Sequence, residues 1–377
     1  MQSVIEPASR RLHFIDFTRG IVMILMVWDH VSMFWMEAHG GAEGLYPSRD
    51  PGLGIVLFMA RFITHWCAPT FVFLSGTSLA LSVNNRLNRG DSEKAIMLHI
   101  VKRGLLLLLF EALIVSPAFD LPRYYFGVIA AIGVCLIIFS VARKLPTTVI
   151  IAASLFILLN HQWLDLSFIP MDLAWGHYLT RILLEPGFTW HPYFSLYPVI
   201  PWLGVMGLGW GFGAFLNGTE RENITRLKFP LLATGAASVA LFFIVRLLNG
   251  YGNLVHRWSN NILDWLYLSK YPPSIAFMLW TLGGTCIFMT MGILITEKGW
   301  TDRNISGAIH TFGRVPLFFY LTHLWLYRLR LTGVEVPFHL GLLPTIGLWS
   351  AGLVVLWLFC SRYEVLKKAH PRFLQYV

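Results

Sequence analysis

The stretch Phe14-Ile-Asp16-Phe-Thr-Arg19-Gly-Ile-Val-Met-Ile-Leu-Met-Val-Trp-Asp29-His30-Val-Ser-Met-Phe-Trp-Met36 decides the fold. A helix needs about 20 mostly apolar residues to cross the hydrocarbon core of a bilayer, and this run is long enough. It nevertheless carries Asp16, Arg19, Asp29 and His30. Ionisable groups inside a span are costly and mark functional sites. The stretch therefore reads as a membrane helix with a site built into it. Its length, and the lack of a small-residue cleavage signal after it, predict a retained span and not a signal peptide.

The rest of the chain repeats the pattern. Apolar runs at 54–82, 95–117, 124–142, 146–160, 196–216, 229–249, 273–296, 307–328 and 341–360 join 14–36 to predict about ten spans. The fold class is all-α, a polytopic transmembrane helix bundle, with residues 1–377 forming one integral-membrane domain. The composition agrees, at 56% hydrophobic and 13% charged over 377 residues, where soluble domains carry about 25% charged residues. With the N-terminus in the cytoplasm, most of the 29 basic residues fall in loops on that same side. That asymmetry predicts an even number of spans and both termini cytoplasmic. The net charge of +9 then reflects this bias and anionic headgroups rather than nucleic acid. Cys67, Cys135, Cys286 and Cys360 sit in apolar runs, at spacings that suit neither zinc nor a disulfide framework, so no metal site is expected. Two outer loops, 161–195 and 250–272, are rich in Trp and Tyr. They read as an interfacial aromatic belt, with a sugar-binding rim as the sharper alternative.

The candidate site residues lie at both ends of the sequence. Arg19 and His30 are eleven residues apart, which is three turns plus about 20°, so both lie on one helical stripe. The rise between them is about 16 Å. Asp16 can pair with Arg19 three residues on, while Asp29 points towards another helix. In 54–82, Arg61 and His65 are i, i+4 neighbours, and Pro69 weakens the backbone bonding around His65. In 307–328, Arg314 lies at the depth of Arg19 and His323 at that of His30, with Pro316 between them. A straight helix would put Arg314 and His323 on opposite faces, an estimate Pro316 undermines. Glu111 reads as a packing acid paired with an arginine, and Arg246 as a residue that snorkels to a membrane surface. The cluster Gly204, Gly207, Gly209, Gly211 and Gly213 reads as a close helix-packing face.

This polarity has a chemical reading. Arginines hold phosphates, and a neutral imidazole in a dry site is a competent base near pH 7. A phosphate-bearing donor shaped like acyl-coenzyme A could enter from the cytoplasm and reach the histidines with its reactive end. No soluble-enzyme motif competes.

These residues resemble a known family. Arg11-Leu-x-x-Ile-Asp16-x-x-Arg19-Gly20…Asp29-His30 is similar to the first helix of the heparan-alpha-glucosaminide N-acetyltransferase-like family, closest to its bacterial branch. Thr64-His65-Trp66-Cys67-Ala68-Pro69, Tyr197-Pro198-Val-Ile-Pro201-Trp202, Tyr271-Pro272-Pro273-Ser274 and Gly313-Arg314-Val-Pro316…Tyr320-x-x-His323 resemble that branch in the same order. The Arg19–His30 spacing also resembles the acyltransferase-3 membrane acyltransferases. The resemblance implies acyl-coenzyme A bound from the cytoplasm and acyl transfer to a sugar across the bilayer. One departure matters. The heparan enzyme has asparagine where this chain has His30, and its catalytic histidine follows in the next loop, near His39. His30 and His39 are thus alternatives for the base.

The expectation is an acyltransferase that moves an acetyl or other acyl group from acetyl-CoA or another acyl-CoA to a hydroxyl or amine of a glycan or glycolipid. His30 acts as base, with Asp29, His65 and His323 around it. Arg19, Arg314, Arg103 and Arg61 bind the donor. The expected partners are the lipid bilayer, acyl-CoA and a sugar or glycolipid acceptor, with no nucleic acid and with a homodimer left open. The expected location is a bacterial inner membrane. The alternative is a proton-coupled transporter of a small polar or anionic solute, since broken helices and buried charges also mark transport pathways.

Overall fold

The computed structural model describes residues 12–36, 54–119, 121, 124–170, 173–188, 193–302, 304–328 and 340–370. Apolar runs fold as helices, and their ends fall where the sequence supplies stops. Ser92 and Ser274 cap helix starts by accepting the N–H of Ala95 and Phe277. Gly90 and Gly299 follow helix ends with positive φ, a conformation that glycine adopts without steric cost.

The helices are α1 (His13–Trp35), α2 (Ile55–Phe62), α3 (Cys67–Asn88), α4 (Glu93–Phe110), the short α5 (Ser116–Ala118), α6 (Val128–Ala142), α7 (Thr147–Asn160), α8 (Ala174–Leu183) and α9 (Val199–Asn217). They continue with α10 (Lys228–Leu248), α11 (Ile262–Leu266), α12 (Ile275–Glu297), α13 (Asn304–Arg314), α14 (Pro316–Arg328) and α15 (Leu342–Ala369). A 3-10 turn, Ile63–Trp66, joins α2 to α3, and a π-helical turn, Glu111–Val115, joins α4 to α5. Among the described residues, six helical stretches are long and apolar enough to cross a membrane: His13–Trp35, Ile55–Asn88, Val199–Asn217, Asn223–Leu248, Ile275–Glu297 and Leu342–Ala369. Val128–Ala142 and Thr147–Trp163 are apolar but shorter.

The all-α expectation needs one correction. Strands β1 (Tyr124–Phe126), β2 (Gly187–Phe188) and β3 (Tyr193–Ser195) form a small sheet in the order β1-β3-β2. β1 runs parallel to β3, and β2 antiparallel to it. The run expected to be helical from residue 124 therefore starts as a strand. The extended backbone of Gly127 separates it from α6, and aromatic residues favour a strand at such a position.

α1 runs from an end of the bundle that holds Arg19 to an end that holds His30. It packs against α3, α12, α13, α14 and α15. Its approach to α13 is close because Gly20 faces the Ile309 carbonyl and Gly313 faces the Asp16 carbonyl, where any Cβ would collide. The same device brings α3 and α9 together, through Gly76 against Met206 and Gly209 against Phe73. Gly207 turns the other side of α9 towards Ser154 of α7. The glycine cluster of α9 thus packs on two helices, as its composition suggests. Trp202, Met206 and Phe277 fill the core between these elements with no exposure.

Candidate active site

Two polar centres lie about 16 Å apart along α1, the rise of eleven helical residues. At the His30 end, His30 of α1 meets His323 of α14, with Nδ1 to Nε2 at 2.7 Å. The rings stack with centroids 5.0 Å apart and planes 13° from parallel. His323 is fully buried, and its Nδ1 lies 3.1 Å from the carbonyl oxygen of Phe319. A carbonyl only accepts, so His323 Nδ1 carries its proton and Nε2 holds a lone pair. Nε2 must then accept from His30 Nδ1–H. The chain of bonds leaves the lone pair of His30 on Nε2, the arrangement a general base requires. Phe119 and Tyr320 flank the His30 ring at 5.2 and 6.5 Å.

Asp29, next to His30, points to α2 as its helical angle predicts. It accepts from Arg61 Nη1 at 2.6 Å and from the Thr64 hydroxyl at 3.1 Å. His65 sits in the 3-10 turn. Pro69 has no N–H to give the His65 carbonyl, so the helix is broken there. The His65 ring, 4% exposed, donates its Nδ1–H to the Phe62 carbonyl at 3.0 Å and packs between Phe62 and Phe277. The break gives Arg61 and His65 different surroundings, although the sequence places them on one face.

At the Arg19 end lies a cavity of about 480 Å³. Asp16, Arg19, Ser78, Arg86, Arg89, Asp91, His99 and Arg103 contribute to its wall. Arg19 donates to Ser78 Oγ at 2.9 Å and to the Gly313 carbonyl at 3.1 Å, and it lies 3.5 Å from Asp16. Arg86 pairs with Asp91 at 2.8 Å and donates to His99 Nδ1 at 3.1 Å. Arg103 has no carboxylate or hydrogen-bond partner among the described residues, and it feels the like charge of Arg19. Four guanidinium groups face two carboxylates, so the cavity favours an anion with several negative charges. Outside the spans, Arg143 closes on Glu93 at 2.5 Å and holds that carboxyl below the usual glutamate range through this hydrogen bond.

The structure thus brings Arg19 and Arg103 together and adds Arg86, Arg89 and His99. Their signal in the sequence is Arg86-x-x-Arg89 at the end of α3 and His99-x-x-x-Arg103 on one face of α4. Arg61 belongs to the other end, with Asp29. Arg314 does not line the cavity. It pairs with Glu364 at 3.1 Å and Asp302 at 3.5 Å, while its neighbour Gly313 receives Arg19. His39 lies outside the described residues.

Two readings of single residues are corrected. Among the described residues Glu111 has no arginine partner. Its Oε2 accepts the N–H of Ala130 at 2.9 Å, capping the start of α6, where a carboxylate suits the helix dipole. Arg246 does not snorkel. At 1% exposure it binds the carbonyls of Trp265, Val255 and Asp264 and the Asn253 side chain, pinning the loop that precedes α12.

A family model described as "Heparan-alpha-glucosaminide N-acetyltransferase, catalytic" matches residues 11–247. The heparan-alpha-glucosaminide N-acetyltransferase of Mus musculus is 26% identical over 305 residues, 78% of this chain and 39% of its own length. That of Homo sapiens is 25% identical over 299 residues, 77% of this chain and 38% of its own. The chain therefore spans about two fifths of the length of these relatives. The family match includes Arg19, His30, Arg61, His65 and Arg103 and ends before Arg314 and His323.

Proposed function

The chain belongs to the heparan-alpha-glucosaminide N-acetyltransferase catalytic family, and we propose that it is a membrane acyltransferase. It takes an acetyl or similar group from acyl-coenzyme A and gives it to a hydroxyl or amine of a glycan or glycolipid. In this reading residues 1–377 act as one domain of about ten spans, with both termini in the cytoplasm of a bacterium and the bundle in its inner membrane. The Arg19 end then faces the cytoplasm, where acyl-coenzyme A is found.

The donor phosphates lodge among Arg19, Arg86 and Arg103, and the acyl arm runs along α1 towards His30. The acceptor's O–H or N–H proton passes to His30 Nε2 as its oxygen or nitrogen bonds the acyl carbon. The carbonyl pair moves onto oxygen, then returns and breaks the carbon–sulfur bond. The coenzyme A sulfur leaves and takes the proton back from His30. His323 fixes the tautomer, Asp29 with Arg61 and Thr64 fixes the end of α1, and His65 lines the acceptor side.

The observation that carries this reading is the chain from the Phe319 carbonyl through His323 to His30, which sets a lone pair on His30 Nε2. Coenzyme A release by purified protein, across acyl donors and glycan acceptors, tests it. His30→Ala is expected to abolish transfer while the protein remains folded. Full transfer by that variant would assign the base elsewhere, and His39→Ala would then be the informative variant. Relatives named as acetyltransferases give the transporter alternative no support. Proton-coupled solute uptake into proteoliposomes, with no thioester consumed, would revive it.

A further inference from the structure

A second cavity, of about 500 Å³, lies at the Arg19 end of the bundle, on the other side of α3. Ser78 and Arg86 of α3 line the first cavity, and Asn84 and Leu87 line the second. The space exists because the helices around it associate as two pairs. Gly104 and Gly133 bring α4 and α6 together, and Gly76, Gly209 and Gly213 do the same for α3 and α9. The seam between the pairs widens where α3, α6 and α9 end. There α4 contributes Glu93, the end of α6 contributes Arg143 and Lys144, and α9 contributes Trp210.

Two N–H donors at this wall lack acceptors among the described residues. The Arg143 side chain is 3% exposed, and its ion pair runs through Nη2 to Glu93 at 2.5 Å, which leaves its buried Nε–H unpartnered. Trp210 is 7% exposed, with its ring 5.7 Å from that of Phe139, and its buried Nε1–H is unpartnered too. Orphaned buried donors are costly, and a group that only accepts would satisfy both. Arg143 and Lys144 exceed Glu93 by one positive charge, and Glu93 is half-exposed, where water screens it. The wall therefore favours an anion over a neutral acceptor. Its rim is apolar: Leu87 is exposed, and so are Val141 and Leu145 beside Arg143 and Lys144. A basic recess between helix ends, edged by exposed aliphatic side chains, matches a charged headgroup with acyl chains attached. We propose that this cavity binds the phosphate of an anionic phospholipid, held by Arg143, Lys144 and Trp210, with the acyl chains on the Leu87, Val141 and Leu145 rim. The site lies apart from both centres on α1 and needs no acyl-transfer chemistry.

Native mass spectrometry of the full chain in neutral detergent, titrated with phosphatidylglycerol or phosphatidylcholine, tests this. Wild type is expected to bind one phosphatidylglycerol at least about tenfold more tightly than phosphatidylcholine, whose choline brings a positive charge to a positive wall. Arg143→Gln and Trp210→Phe each remove one donor to the phosphate. Each should weaken phosphatidylglycerol about tenfold and leave phosphatidylcholine unchanged. Trp210→Phe keeps the ring and the Arg143–Glu93 pair, so it answers if Arg143→Gln fails to fold. Lys144→Gln, at an exposed position, should cost about two- to fivefold. Equal affinity for the two lipids overturns the proposal, and so does wild-type affinity for phosphatidylglycerol in the folded variants. Inorganic phosphate and acetyl-coenzyme A separate the other sources of the same chemistry. Binding of inorganic phosphate without phosphatidylglycerol makes this a free-phosphate site and overturns the lipid. Displacement of bound phosphatidylglycerol by acetyl-coenzyme A gives the cavity to the acyl donor and overturns it equally.

Discussion

At His323 a single carbonyl oxygen decides which nitrogen of His30 carries a proton. His323 therefore acts through His30 and is a positioning residue in the proposed reaction. Replacing it with Phe keeps the ring and removes the acceptor for His30 Nδ1–H. That change is expected to lower kcat by about 10–100-fold, on the scale of an orienting contact to a general base, with the donor KM held. His323→Gln supplies an amide oxygen and should restore part of the rate, which a purely structural role would not allow. Equal rates in the Phe and Gln variants would remove His323 from the mechanism. Some of this pair was legible in the sequence. Spacing placed Arg19 and His30 on one stripe, and depth matched His323 to His30. Their contact was not legible, because Pro316 starts a new helix whose direction no spacing predicts. The burial of Lys270 was not legible for a related reason. A lysine in an external loop reads as solvated until the fold of the 269–274 turn shows it buried.

Helix packing explains how such charged groups are held without a soluble core. α3 and α9 touch backbone to backbone because Gly76 and Gly209 leave no side chain between them. Membrane helices lack a hydrophobic drive to associate and depend on this closeness. Gly76→Val or Gly209→Val should push the helices apart and destabilise the protein by about 1–3 kcal/mol, as other overpacked contacts do. Gly347 in α15 is a useful contrast, since a Cβ there meets nothing within 4 Å. Gly347→Ala should be neutral, or stabilising by up to about 1 kcal/mol through helix propensity. Thermal unfolding in detergent separates the two classes, and similar midpoints for all three variants would contradict the packing account. Apolar run length made the long helices readable. The strand at 124–126 was not, because its partner β3 lies almost seventy residues on, and a helix-length apolar run hides it. His161 shows the same limit. It belongs to a loop by sequence, yet it is 1% exposed, with Nε2 3.0 Å from the Pro273 carbonyl that closes the Lys270 turn.

The whole molecule separates charge from chemistry. Four guanidinium groups gather around the cavity at one end of α1, and the His30–His323 pair lies at the other, where the one guanidinium named, Arg61, is held by Asp29. A donor that serves both centres must be long, with its phosphates at one tip and its reactive carbonyl at the other. The two ends should then fail in different ways. Arg103 and Arg89 are the cavity arginines whose charge no carboxylate among the described residues offsets, and Arg103 is the half-buried one of the two, so it has the most to offer a phosphate. Charge-assisted hydrogen bonds to phosphate contribute about 1.5–3 kcal/mol. Arg103→Ala should therefore raise the KM for acetyl-coenzyme A by about 10–100-fold. It should leave kcat nearly intact, because the contact is made equally in the ground state and the transition state. Acetylpantetheine carries the same thioester without phosphates and provides the control. Its KM is already high and should not change in Arg103→Ala. A parallel rise for both donors would mean that the arginine shapes the bundle and does not bind phosphate. A fall in kcat with KM held would place the acyl group, and not the phosphates, at the Arg19 end.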